Sequence, residues 1–147
     1  MKTVVLSLGG SIIVPEHVDI KLLEKFKQEL RKHYKKYKFV IVCGGGSIAR
    51  KYIEALRADK APEHEQALAG IRATRMNAML LMEIFGHKEA NDVLPKTMKD
   101  IENALPKNNV VICGALRFTP NSTSDGTAAK IAHHLGTDFI NITNVKG

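Results

Sequence analysis

The chain has 147 residues, of which 44% are hydrophobic and 25% are charged, a balance typical of one soluble globular domain. No apolar stretch approaches the roughly 18 residues of a membrane-spanning helix, and the N-terminus lacks the pattern of a signal peptide. We therefore expect a cytoplasmic protein with no membrane partner, and its net charge of +7 raises the question of a nucleic-acid partner.

Apolar runs alternate with helical patterns along the whole chain, which is typical of βαβ units in a mainly parallel sheet. The predicted strands lie near residues 2–8, 38–43, 109–113 and 138–143, with a short fifth strand near 91–94. The predicted helices lie near residues 19–36, 47–59, 66–86, 97–104 and 126–135, the first with Asp19 as its N-cap. The expected fold class is α/β.

The first long helix explains the positive charge. Residues 21–38 contain eight Lys or Arg and two Glu, so this segment carries +6 of the total. Its apolar residues recur at helical spacing and form one face, and the lysines form the other. We interpret the lysines as a solvated face. The alternative, nucleic-acid binding, is less favoured because the stacking aromatic residues and known modules of such proteins are missing.

The predicted helix over residues 66–86 is apolar on most of its circumference around Met76 to Phe85. A surface helix of a small monomer is apolar on only one face, so we expect this helix to be covered on two sides. Core packing and a subunit interface are both open explanations.

The cysteines and histidines do not predict a metal or redox site. Cys43 and Cys113 each end an apolar strand, and we interpret them as small buried packing residues in a reducing compartment. His133 and His134 are adjacent, so they point to different sides of their helix and cannot act as an i, i+4 ligand pair. No metal-ligating residues are predicted.

Three predicted strands run directly into turns of small residues. Residues 9–11 follow the first strand, residues 44–47 the second, and Gly114 the third, before a polar loop at 119–126. A glycine turn between a strand and a helix allows backbone N–H groups to surround a phosphate at the positive end of the helix. Because parallel strands end at one edge of a sheet, these turns can converge on one crevice. The pattern predicts phosphate chemistry.

Together, five segments resemble the amino acid kinase family, and within it the archaeal type of UMP kinase. They are VVLSLGGS (4–11), VIVCGGGSIARKYIE (40–54), IRATRMNAMLL (71–81), TPNSTSDGTAA (119–129) and DFINITNVKG (138–147). The resemblance implies a three-layer α/β/α sandwich with a mainly parallel sheet. It also implies phosphoryl transfer from ATP, with Mg²⁺, to UMP in a homo-oligomer, a hexamer in this family.

The resemblance assigns roles to residues of this sequence. It implies that Asp125 and Arg50 are catalytic, Asp125 by orienting groups around the transferring phosphoryl and Arg50 by contacting phosphate. Without the resemblance, Asp125 could be an N-cap near Gly126, and Arg50 could pair with Glu54. The implied ATP-binding residues are Gly9, Gly10, Ser11, Gly46, Arg50, Thr143 and Asn144. The implied UMP-binding residues are Gly45, Phe118, Thr119, Pro120, Asn121, Ser122, Thr123 and Ser124.

The sequence departs from the family at several of these places. Ser7 stands where some relatives have a lysine, and Ala67 stands where UMP kinases of this type have an aspartate for the acceptor nucleoside. Residues 114–118 replace a turn rich in Gly and Thr, and Arg117 there is either a phosphate contact or solvated. Family members also continue past the position of Gly147 into a lobe that holds ATP, so residues 1–147 match the acceptor-nucleotide lobe alone.

Three hypotheses follow. The chain is the acceptor lobe of a UMP kinase, or a nucleotide-binding subunit without catalytic power, or a member of the family with another acceptor. Isopentenyl phosphate is one such acceptor, but the relatives that use it have a histidine where this chain has residues 48–50, Ile-Ala-Arg.

Overall fold

The computed structural model describes residues 1–117 and 123–144. Within these residues one sheet contains four strands, in the spatial order β3-β2-β1-β4. The strands are β1 (Lys2–Leu8), β2 (Tyr37–Cys43), β3 (Val110–Cys113) and β4 (Asp138–Ile142). All three strand pairs are parallel, which confirms the predicted sheet. The predicted fifth strand is reduced to an isolated bridge between Ala90 and Val110.

Six α-helices within the described residues connect the strands. They are α1 (Gly10–Ile13), α2 (Ile20–Arg31), α3 (Gly46–Ala58), α4 (Glu63–Phe85), α5 (Met98–Ala104), followed by a 3₁₀ turn, and α6 (Ser124–Leu135). The side chain of Asp19 accepts a hydrogen bond from the Leu22 amide, as predicted for the N-cap of α2. That helix ends at Arg31, earlier than predicted. The one-turn helix α1 was not predicted, because four residues are too few to show a helical period.

The order of the strands places a crevice between β1 and β4. From β1 the chain moves outward to β2 and then β3, and it returns to the other side of β1 to form β4. In open α/β sheets, ligands bind beyond the carboxyl ends of the strands at the point where this order reverses. The ends of β1 and β4 are in register there, since Leu8 pairs with Ile142.

Apolar side chains on both faces of the sheet form the core, so the fold is the expected three-layer sandwich. On one face, Leu6, Leu8, Phe39 and Ile41 pack with residues of α2 and α4, and on the other face Val5, Val40 and Val42 pack with residues of α5 and α6. This alternation follows from the two-residue period of a strand.

The two cysteines belong to opposite faces of the sheet. Cys43 lies in the cluster on the α2 and α4 face and Cys113 in the cluster on the α5 and α6 face, and both are free thiols. Complete burial raises the pKa of both thiols, that of Cys113 to about 12. Both thiols therefore stay protonated at neutral pH, and their complete burial confirms the prediction of buried packing residues.

None of the helices within the described residues has the length and hydrophobicity needed to cross a bilayer.

Candidate functional site

The two glycine corners after β1 and β2 lie directly against each other. A Cβ atom on Gly10 would lie 2.6 Å from the Gly46 Cα atom and 2.7 Å from the Gly45 amide nitrogen. Gly46 has a φ of +62°, and a Cβ atom there would lie 2.7 Å from the Gly10 carbonyl carbon. Only glycine fits this backbone packing. The corners therefore meet at one edge of the sheet, as the sequence predicts.

The third corner, after β3, is fixed by side chains of α4. The Thr74 hydroxyl accepts a hydrogen bond from the Ala115 amide (2.9 Å) and donates one to the Ile71 carbonyl (2.7 Å). The Arg75 guanidinium donates to the carbonyls of Ala115 and Leu116, at 2.9 Å each. Because side chains of α4 form hydrogen bonds with the backbone groups of this corner, α4 holds the end of β3 in place.

The glycine corner after β2 depends on Asn77. This side chain of α4 is 2% exposed, and its amide nitrogen donates to the carbonyls of Gly44 (2.8 Å) and Gly45 (3.1 Å). Without the amide, these two inward-facing carbonyls would lose a partner. Asn77 is thus a positioning residue, because it holds the corner through the backbone.

A cleft of about 320 Å³ opens beside these corners. One end is formed by the glycines of the β2 corner and by residues of the α6 N-terminus, and its walls are α3 and α4. Its lining residues are Gly44, Gly45, Gly46, Ala49, Arg50, Ile53, Ala67, Gly70, Ile71, Thr74, Ala115, Thr123 and Ser124. We call this space the glycine cleft. Its volume is within the range of small-molecule sites.

Arg50 is an exposed residue of α3 that lines the glycine cleft. It lies one helical turn after Gly46, so its side chain begins over the turn next to the glycine corner. Arg50 and Glu54, both within the described residues, form no ion pair. The guanidinium group is the only charged group that lines this cleft among the described residues.

Asp125 lies in the first turn of α6, and two strands hold its carboxylate. The buried Ser7 hydroxyl donates to one oxygen (2.6 Å), and the Asn141 amide lies 3.4 Å from the other. Ser7 and Asn141 are cross-strand partners in β1 and β4, so both side chains leave the same face of the sheet. The alternative role of Asp125 as an N-cap is wrong, because Thr123 caps α6 by accepting from the Gly126 amide.

The end of β4 lies next to the first glycine corner. The Gly9 amide donates to the Ile142 carbonyl (2.9 Å), and the Ser11 hydroxyl donates to the side-chain carbonyl of Asn144 (3.1 Å). Thr143 is exposed between these contacts. The residues that the resemblance assigns to ATP therefore surround the junction of β1 and β4, while Gly46 and Arg50 face the neighbouring cleft.

The predicted UMP-binding residues divide into two groups. Gly45, Thr123 and Ser124 line the glycine cleft. Phe118, Thr119, Pro120, Asn121 and Ser122 lie outside the described residues. Ala67 also lines the cleft, so the departure from the family pattern there falls on a wall of the site, whereas Arg117 is exposed.

Sequence reasoning missed the residues that hold the corners. Thr74, Arg75 and Asn77 received no role, although polar residues directly before the apolar stretch 78–82 of this helix are a signal of buried hydrogen bonding. Asn141 was also missed. Its position opposite Ser7 depends on strand register, which the sequence does not reveal.

A comparison with known protein families identifies the family of this chain. The amino acid kinase family matches residues 2–147. The chain belongs to the amino acid kinase family. The match extends over all four strands and the glycine corners after β1 and β2.

Two uridylate kinases are similar to this chain over nearly its whole length. A uridylate kinase of Methanosarcina mazei is 37% identical over 145 residues, which are 98% of this chain and 60% of the relative. A uridylate kinase of Thermoplasma volcanium is 37% identical over 148 residues, which are 99% of this chain and 63% of the relative. The chain thus spans less than two thirds of the length of these relatives.

Solved structures show the same fold. Uridylate kinase from Archaeoglobus fulgidus superposes with a TM-score of 0.86 at 36% identity, covering 100% of this chain and 65% of that one. UMP kinase from Ureaplasma parvum superposes with a TM-score of 0.80 at 21% identity, which shows the fold alone, and this chain covers 71% of it.

Proposed function

We propose that the chain is the acceptor-nucleotide lobe of a UMP kinase, and that the complete enzyme transfers the γ-phosphoryl group of ATP to UMP to give UDP. The observation that carries this proposal is the contact between the glycine corners of β1 and β2 at the head of a cleft lined by Arg50. The similarity to uridylate kinases over 98% of the chain supports it.

The glycine cleft supplies what the phosphate of UMP requires. Backbone N–H groups at the β2 corner and the positive end of α3 favour an anion, and Arg50 adds a full positive charge. A guanidinium can bind two phosphate oxygens at once, which orients the phosphate as well as binding it. We infer that Gly45, Thr123 and Ser124 contact UMP and that Arg50 contacts its phosphate.

The transferring group would lie at the junction of the corners. We infer that Gly9, Gly10, Ser11 and Gly46 border the phosphates of ATP, with Thr143 and Asn144 next to them. Asp125, held by Ser7 and Asn141, would orient the groups around the transferring phosphoryl. Such transfers depend mainly on position and on stabilisation of negative charge, which these fixed backbone groups provide.

Mg²⁺ would enter with ATP as part of the substrate. Among the residues that the structure describes, no group of three His, Cys, Asp or Glu could hold a metal ion. The carboxylate of Asp125 is already within hydrogen-bond distance of Ser7. The ion would therefore be held chiefly by the phosphates of ATP.

A coupled assay of ADP release, with UMP and Mg-ATP, tests the proposal. From the complete enzyme we expect turnover that depends on UMP, and a loss of about tenfold or more in kcat/KM for UMP when Arg50→Ala removes a charge-assisted hydrogen bond. The matched control is Arg57→Ala, an exposed arginine two turns further along α3, which we expect to stay within about twofold. Equal losses in the two variants would remove Arg50 from the site.

A second candidate is UMP binding without phosphoryl transfer. The observation that favours it is the exposure of β4, which borders the ATP side and is open to solvent along most of its length. Calorimetric binding of UMP by the complete protein without ADP release would support this candidate. An acceptor panel that includes isopentenyl phosphate would reveal a different acceptor.

We also propose that the protein forms a homo-oligomer through α4, where Met76 and Met79 are 62% and 40% exposed. The opposite side of α4 is buried in the core, so these methionines are available to a second copy. Size-exclusion chromatography with light scattering tests this, and a monomer at micromolar concentration would contradict it.

A further inference from the structure

We propose that α4 couples self-association to phosphate binding. A second copy on the outer side of this helix raises the affinity of the corners on its inner side for their ligand. This coupling rests on the proposed function and on the proposed contact between copies, because it is a regulation of the same site. It follows from the way in which the residues of α4 are distributed around the helix.

The inner side of α4 holds two of the corners. Asn77 donates hydrogen bonds to the carbonyls of Gly44 and Gly45, at the end of β2. Thr74 and Arg75 form hydrogen bonds with the backbone of the corner after β3. These three side chains lie within about one turn of the helix. A displacement of this turn therefore moves both corners or breaks the hydrogen bonds that hold them.

The outer side of the same part of α4 faces solvent. Arg72, Met76, Met79 and Glu83 are exposed, and their spacings of four, three and four residues place them in one stripe along the helix. The stripe has opposite charges at its two ends, about 16 Å apart, which is too far for an ion pair within one helix. Within its own chain Glu83 lies 3.5 Å from His87, an ion pair only when that histidine is protonated.

This stripe is complementary to a second copy of itself. When two α4 helices pack antiparallel about a two-fold axis between Met76 and Met79, each Met76 faces Met79 of the partner subunit. The same arrangement places Arg72 opposite Glu83 of the partner subunit. A parallel arrangement would instead place like charges opposite each other. Exposed ion pairs contribute little to stability, but repulsion between like charges excludes the wrong orientation. The stripe therefore fits an antiparallel second copy.

Contact with a second copy would restrict the motion of α4. An element that is packed on two sides opens less often than one with a side in water. Since Asn77 and Thr74 hold the corners only while this turn is in place, association increases the fraction of molecules with preformed corners. The coupling is reciprocal, so the ligand must strengthen association by the same factor. We expect a factor of about tenfold, which is within the usual range for coupled sites.

Charge reversal along the stripe tests the coupling. Light scattering measures the mass of the complete protein, and calorimetry measures its affinity for UMP and for inorganic phosphate. Arg72→Glu and Glu83→Arg each place like charges opposite each other. We expect each to lower the mass and to weaken both ligands by about tenfold. The double variant exchanges the two charges, so it should recover the mass and both affinities of the wild type.

Lys25→Glu is the matched control, because it reverses an exposed charge on α2 and should change neither the mass nor the affinities. Circular dichroism of each variant establishes that it is folded. In the wild type, saturating phosphate or UMP should lower the dissociation constant of the contact between copies by about tenfold. Dissociated variants that bind both ligands as tightly as the wild type would overturn the coupling, and so would a double variant that stays dissociated.

Inorganic phosphate separates this outcome from failure of the proposed function. If phosphate affinity follows association and UMP does not bind, the proposed function fails and the coupling stands. If UMP binds and turns over equally well in associated and dissociated protein, the coupling fails and the proposed function stands. If neither ligand binds, both fail.

Discussion

Two regions of the sheet differ in burial, the three strands β1 to β3 and the exposed strand β4. Val5, Val40 and Val111, one in each of the three strands, are 0% exposed, whereas Phe139 and Ile140 in β4 are 38% and 50% exposed. An apolar cleft of about 520 Å³ also opens between β4, β1 and α2. The strand pairs with β1 alone within the described residues.

This difference divides the candidate site into a rigid half and an open half. The corners of β1, β2 and β3 are fixed by close backbone packing and by side chains of α4. Thr143 and Asn144 instead follow β4, an edge strand whose first four residues are exposed. The strand β3 is also at an edge, but all four of its residues are buried. Free edges expose unpaired N–H and C=O groups and are less stable locally. The glycine cleft should therefore be preformed before its ligand binds, while the segment after β4 should be less well ordered.

The largest expected difference in stability is between two isoleucine truncations, one in a buried strand and one in β4. Ile41 in β2 is 0% exposed and Ile140 in β4 is 50% exposed. We expect Ile41→Ala to lower the free energy of unfolding by about 4 kcal/mol and Ile140→Ala by less than about 1 kcal/mol. Urea denaturation followed by circular dichroism measures both. Equal losses would mean that β4 is packed as firmly as the other strands.

Gly10→Ala tests the close packing of the corners. The added Cβ atom would lie 2.6 Å from the Gly46 Cα atom. We therefore expect Gly10→Ala to lower the free energy of unfolding by about 3 kcal/mol and to abolish UMP binding. Gly136→Ala is the control, since Gly136 has a φ of +63° but nothing within 4 Å of its Cβ position. It should cost about 1 kcal/mol for its backbone conformation alone and leave UMP binding unchanged.

Asn77→Ala removes a buried amide from the rigid half. We expect a loss of about 2 kcal/mol of stability, because the carbonyls of Gly44 and Gly45 lose their donor, and a weaker affinity for UMP. Asn103→Ala, at an exposed position of α5, should change stability by less than about 0.5 kcal/mol. A UMP affinity unchanged in a destabilised Asn77 variant would show that the corner does not depend on this amide.

The smallest expected effect is a pH dependence that comes from Glu89, in the turn after α4. Partial burial raises the pKa of Glu89, but hydrogen bonds from Arg31 and Tyr34 outweigh it, so the pKa lies below its ordinary value of 4.5. A carboxylate with a lowered pKa in the folded state stabilises the protein above the unfolded pKa, and this is lost as pH falls through the folded value.

We therefore expect Glu89→Gln to destabilise the protein by about 1 kcal/mol at pH 7 and by less at pH 3. Urea denaturation at both pH values measures the difference. Glu83→Gln is the control, because Glu83 is an exposed residue beside His87. A Glu89 effect of the same size at both pH values would contradict the assignment.

The parts of the fold that local patterns determine were predictable from the sequence. An apolar run followed by glycine, as at Cys43 and Gly44, correctly predicted where each strand ends. It also predicted that the strand ends lie at one edge of the sheet. Relations that depend on register or helix position were not predictable. Ser7 and Asn141 meet at Asp125 only because they pair across β1 and β4, and Asn77 reaches its two carbonyls only because α4 lies against the end of β2.

Backbone amide shifts in a UMP titration, recorded by ¹H–¹⁵N NMR, test the common phosphate site most directly. We predict that the amides of Gly45, Gly46 and Gly10 shift together with one dissociation constant, and that Arg50→Ala raises this constant by about tenfold while Arg57→Ala does not. Shifts confined to one corner, or an affinity that does not depend on Arg50, would contradict the proposal that the corners form one site for the phosphate.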